Sequence, residues 1–69
     1  APTVLSIDIP KDKIREVIGS GGKTIKEICE LTKAKIEIED SGKVNIFGNS
    51  AKVKEMAAKI IHAIAYGPE

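Results

Sequence analysis

At 69 residues the chain is one small domain, and a domain of that size buries only about 60% of the surface its unfolded chain exposes, so its core must be dense. Apolar residues make up 42% of it, and the single cysteine excludes an intrachain disulfide and suits a reducing, cytoplasmic setting. A net charge of +1 and the lack of any apolar run near ~20 residues leave neither a strongly basic chain nor a membrane-spanning one.

The elements can be taken in chain order. Val4 to Ile9 alternates, with Leu5, Ile7 and Ile9 on one side and Val4, Ser6 and Asp8 on the other, which predicts a half-buried strand. Pro10 closes it, and Pro10 with Asp12 suits the start of a helix, where a missing N–H and an acid are both tolerated. Ile14, Val17 and Ile18 then recur at i, i+3 and i+4 before Gly19 stops the helix. Beyond the glycines, Ile25, Ile28, Cys29 and Thr32 form the inner stripe of a second helix, which ends near Thr32-Lys33.

Lys35 to Glu39 alternates strictly and predicts a strand with one charged face. Asp40-Ser41-Gly42 is a tight hairpin loop, and Val44 and Ile46 point inward on the return strand. Asn49-Ser50 offers an N-cap. Val53, Met56, Ala57, Ile60, Ile61 and Ile64 follow at helical spacing, and Gly67-Pro68 ends the last helix. The order is β-α-α-β-β-α, an α+β domain in which a three-stranded antiparallel sheet with its helices on one face would bury every stripe.

Charge is unevenly spread. From Lys11 to Lys35 there are seven Lys or Arg against four acids, whereas residues 36–42 hold three acids and no base. A basic helical region beside an acidic strand end gives a one-sided electrostatic footprint.

The chemistry concentrates in Val17-Ile18-Gly19-Ser20-Gly21-Gly22-Lys23-Thr24-Ile25. Three glycines in four positions admit unusual dihedrals and close approach of another backbone. They precede a helix N-terminus, whose free N–H groups and dipole favour an anion, and Lys23 adds a mobile positive charge. Two other glycine motifs fail. Gly22-Lys23-Thr24 ends like a Walker A loop, but the first glycine of that motif would fall on Val17. The third glycine of a dinucleotide fingerprint would fall on Thr24.

With its Val-Ile-Gly-x-x-Gly-x-x-Ile core in this element order, the chain resembles a type I KH domain. The stretch from Pro10 to Ile46, with its short loop after Ile36-Glu37-Ile38-Glu39-Asp40, resembles more narrowly the KH domains of the bacterial polynucleotide phosphorylase family. The resemblance implies sheet order 1-3-2 with three helices on one face, and a groove that takes about four nucleotides of single-stranded RNA. Gly19, Ser20, Gly21 and Gly22 match the backbone clamp, and Ile18 and Ile36 match the apolar positions on which bases rest. The short acidic hairpin loop implies little base reading.

Residues 1–69 thus read as a single KH domain, core about 3–66, cut from a longer multidomain chain. The resemblance implies a parent that degrades mRNA by phosphorolysis from the 3′ end, with a divalent metal (Mg) and catalytic residues elsewhere. It further implies a homotrimer and an oligonucleotide-binding-fold domain after Glu69. The fragment itself is expected to need no cofactor and to carry no catalysis. An alternative role is protein–protein contact within the trimer, with little RNA affinity.

Lys23 and Lys26, one turn apart, are candidates for phosphate contact, while Lys11, Lys13, Arg15 and Lys35 add to the field. Cys29 and Met56 are expected in the core. His62 has no partner cluster for a metal or for catalysis, and Glu37 and Glu39 read as solvated. Phe47 and Tyr66 are too few for an aromatic stacking platform, and Tyr66 is a candidate to anchor the tail to a neighbouring domain.

Overall fold

The computed structural model describes residues 4–67. The chain runs β1 (Leu5–Asp8), a 3-10 turn (Lys11–Lys13), α1 (Ile14–Ile18), a second 3-10 turn (Ser20–Gly22), α2 (Lys23–Thr32), β2 (Lys35–Ile38), β3 (Lys43–Phe47) and α3 (Ala51–Tyr66). Pro10 therefore opens a 3-10 turn, closed by the Lys13 N–H on the Pro10 carbonyl at 2.9 Å, before the α-helix proper begins. Thr3, Pro68 and Glu69, which the sequence reading placed at the domain's margins, lie outside the described residues.

The sheet is antiparallel throughout, in the order β1-β3-β2. Register aligns Leu5, Ile46 and Ile36 in one row and Ile7, Val44 and Ile38 in another, all on the inner face. Val44, Ile46, Val17 and Ile61 are fully buried, each worth about 1.5–3 kcal/mol of apolar burial. Ile28, Ala57 and Ala65 join them from the helices, so all three helices share that face. The outer face is polar. There the Ser6 hydroxyl donates to Asn45 Oδ1 and Asn45 Nδ2 donates to Glu39 Oε2, both at 2.9 Å, and Lys35 pairs with Glu37 at 3.7 Å.

α2 ends where Lys33 turns left-handed with φ 65°, its N–H on the Cys29 carbonyl at 2.8 Å. Buried Thr32 is satisfied twice over: its hydroxyl donates to the Ile28 carbonyl at 2.7 Å and accepts the Ala34 N–H at 3.3 Å. α3 starts at Ser50, whose hydroxyl accepts the Val53 N–H at 3.3 Å, and stops at Gly67. α3 lies parallel to β1, because its first turns flank Val4 and Leu5 whereas the Tyr66 hydroxyl at its far end donates to the Asp8 carbonyl at 3.1 Å.

Two expectations, for Met56 and Cys29, need correction. α3 is rotated so that Lys54, Ala57, Ile61 and Ala65 face inward, and Met56 is 45% exposed. Room for the Lys54 stem comes from Gly48: a Cβ there would lie 3.3 Å from Lys54 Cγ and 2.9 Å from Val53 Cγ1. Burying an aliphatic stem in this way is ordinary for lysine. Cys29 is half-buried, at the flank of the α2 stripe. Tyr66, still exposed, ties α3 to β1 inside the domain and packs against His62, with ring centroids 4.5 Å apart and the rings tilted by 37°.

Candidate nucleic-acid interface

Between α1 and α2 the chain turns on three glycines with positive φ, and each serves a different need. Gly19 (φ 79°, ψ 172°) sits in a region of backbone space that is essentially closed to side chains. A Cβ there would strike Thr24, whose backbone nitrogen would be 2.8 Å away. Gly21 (φ 63°, ψ 18°) is left-handed and meets nothing within 4 Å, so its outer side is open. Gly22 (φ 83°) is left-handed as well and serves as the N-cap of α2. Sequence thus dictates a loop that is closed at Gly19 and bare at Gly21.

The loop's own hydrogen bonds run from the Gly19 N–H to the Arg15 carbonyl at 2.7 Å and from the Gly22 N–H to the Gly19 carbonyl at 3.1 Å, and the Lys23 N–H is taken by the Ser20 carbonyl. None of these bonds uses the N–H of Ser20 or Gly21. No side chain caps α2, in contrast to Ser50 at α3. The first N–H groups of a helix have no partner within it, and the dipole makes that end partly positive. A ten-residue helix, capped by no side chain, therefore points its positive end at a bare, exposed loop.

Lys23 is the first residue of α2 and Lys26 lies one turn on; both are exposed, and neither has an ion-pair partner among the described residues. Ile18 is half-buried and, together with Arg15, Gly19 and Ser20, lines a depression of about 270 Å³ against the loop. The structure thus gathers Ile18, Gly19 and Ser20 at one place. Ile36 stands apart from that depression, half-buried on the edge strand β2 and packed against the core. Arg15, expected to add to the field, borders the loop: it lines the depression, and its carbonyl accepts the Gly19 N–H. Lys35 is held by Glu37 on the outer sheet face, away from the helices. Among the described residues no three His, Cys, Asp or Glu side chains converge to hold a metal, and no helix is long and apolar enough to cross a membrane.

A three-stranded sheet backed by three helices, with a glycine loop joining the first two, defines a class of small α+β modules. Residues 4–62 match the KH domain family, and the chain belongs to it. Polyribonucleotide nucleotidyltransferase of Rhizobium meliloti (strain 1021) is 58% identical over all 69 residues, which are 10% of that protein. The chain thus spans about a tenth of the length of the curated relatives it matches.

Solved structures agree on the fold. Dim2p from Pyrococcus horikoshii OT3 superposes with a TM-score of 0.88 at 35% identity, over 97% of this chain and 43% of that one. A chain of the a/eIF2alpha–aDim2p–rRNA complex from the same organism gives 0.84 at 35% identity, over 91% and 38%. The first KH type I domain of human Vigilin gives 0.84 at 26% identity, over 96% and 73%.

Proposed function

We propose that this domain binds single-stranded RNA by clamping its sugar-phosphate backbone on Gly19-Ser20-Gly21-Gly22. One observation carries the reading: the open, side-chain-free Gly21 stands one residue before the N-terminus of α2, which no side chain caps. There a phosphate can approach peptide nitrogens closely and meet the positive end of the helix dipole. Lys23 and Lys26 supply charge from the same helix, and Ile18 offers an apolar surface to a base. Membership of the KH family supports the reading, as does the presence of rRNA in the complex whose chain shares this fold.

The high identity to polyribonucleotide nucleotidyltransferases supports a role within such an enzyme. The domain would capture the single-stranded 3′ end of RNA for phosphorolytic degradation, beside an oligonucleotide-binding-fold domain and within a cytoplasmic homotrimer. Catalytic residues and the divalent metal would be supplied from outside these residues.

The double variant Ser20→Asp/Gly21→Asp tests the clamp. Both positions are exposed, and aspartate is among the residues that tolerate the left-handed backbone of Gly21. Two carboxylates at the phosphate surface are expected to abolish binding of a short oligouridine while the circular dichroism spectrum stays native. Retained affinity in a folded double variant would move RNA binding to another surface, whereas little RNA affinity in the wild type itself would favour the assembly role.

A further inference from the structure

Of the three glycines in the loop, only Gly19 is backed by a side chain. A Cβ on Gly21 would meet nothing within 4 Å, and one on Gly22 would touch only Ile25 Cγ2 at 3.9 Å, an ordinary contact. At Gly19 the space is already taken. A Cβ there would overlap Thr24 Oγ1 and lie 2.8 Å from Thr24 Cβ. Thr24 is the second residue of α2 and half-buried, and its hydroxyl makes no hydrogen bond among the described residues. In a Walker A loop the hydroxyl residue after Gly-Lys goes to a metal ion. In Gly22-Lys23-Thr24 it goes to the backbone of the loop itself.

We propose that Thr24 is a positioning residue for the clamp, holding Gly19 in the conformation that leaves Ser20 and Gly21 exposed; the proposal rests on the RNA-binding reading above. Glycine fits φ 79°, ψ 172° because it lacks a side chain, and for the same reason nothing of its own keeps it there. The restraint has to come from outside the residue. Thr24 supplies it, because a β-branched side chain is stiff about its first torsion and α2 fixes the backbone that carries it. The Gly19 α-carbon therefore cannot swing toward α2 without meeting that side chain. Two hydrogen bonds, from the Gly19 N–H to the Arg15 carbonyl and from the Gly22 N–H to the Gly19 carbonyl, close the loop around this contact. A loop ordered before RNA arrives loses less conformational entropy on binding, so Thr24 raises affinity without touching the ligand. Serine keeps both abutting side-chain atoms, the β-carbon and the hydroxyl oxygen, whereas alanine keeps only the first.

The test follows the full 69-residue chain by three measurements: hexauridine affinity from fluorescence anisotropy, backbone order of the RNA-free domain from nitrogen relaxation, and Tm. Thr24→Ala is expected to weaken hexauridine binding about five- to tenfold, roughly the effect of freeing the backbone of a single residue. The order parameters of the Ser20 and Gly21 amides are expected to fall in that variant before any RNA is added. Its Tm is expected to stay within about 5 °C of the wild type. Thr24→Ser is expected to restore affinity and loop order together. Binding by Thr24→Ala within about twofold of the wild type, with Ser20→Asp/Gly21→Asp still losing all binding, overturns the positioning role and leaves the clamp standing. Weaker binding with unchanged loop order overturns it as well, since Thr24 would then touch RNA directly. A Tm lowered by about 10 °C or more in Thr24→Ala would make the residue a general support of the fold and overturn the specific role. Undiminished binding by the folded double variant overturns the clamp itself.

Discussion

Gly42 and Ile9 are fitted to each other at both ends of one contact. The Ile9 N–H donates to the Gly42 carbonyl at 2.9 Å, and a Cβ on Gly42 would run into the Ile9 carbonyl oxygen. The tip of the β2–β3 hairpin is thereby tied to the end of β1, and Gly42 holds φ 98° to make the bond. Gly42→Ala combines backbone strain with steric overlap, for a loss of about 2–3 kcal/mol. In a domain of this size that lowers Tm by about 10 °C or more. Thermal unfolding followed by circular dichroism checks it, and a Tm within 3 °C or so of the wild type would mean the hairpin tip moves freely.

The clamp glycines should separate by the same measurement. Gly19→Ala meets Thr24 and occupies a region that suits only glycine, so a loss of about 2–3 kcal/mol is expected. Gly21→Ala faces open space and carries only the left-handed cost of about 1 kcal/mol. Equal destabilisation of the two would contradict the division of the loop into a closed and an open end.

Salt dependence separates the lysines. With two or three phosphates held, the slope of log affinity against log salt should be about −1.4 to −2. Lys23→Gln should make it shallower by about 0.7, whereas Lys35→Gln, on the outer sheet face beside Glu37, should leave it alone. A change with Lys35→Gln would place RNA on the sheet.

Tyr66→Phe removes one exposed hydrogen bond and keeps the ring against His62. A loss of about 0.5 kcal/mol, or a few degrees in Tm, is expected, since a solvated bond of this kind exchanges with water. A drop beyond 10 °C would mean that the α3–β1 tie is integral to folding.

Much of this was legible in the chain. Alternation placed β1, β2 and β3 to within a residue or two, because a sheet with one face on the core imposes period two on its side chains. The glycine loop was legible because no other residue type fits Gly19. What escaped was rotational. On α3, ranking side chains by apolarity put Met56 inside, yet the helix turns on Ala57, Ile61 and Ala65 and admits the stem of Lys54 over Gly48. The shortness of Gly48, not the character of Lys54, decided it.

The parallel course of α3 and β1 governs how this unit can be wired to others. Sixteen residues of helix span about 24 Å, so Leu5 at the start of β1 and Tyr66 at the end of α3 lie at opposite poles. Partners fused at the two termini would be kept on separate flanks, joined through a stiff spacer with its loop of glycines facing sideways. In such a fusion, deleting this unit would remove the separation as well as the loop surface.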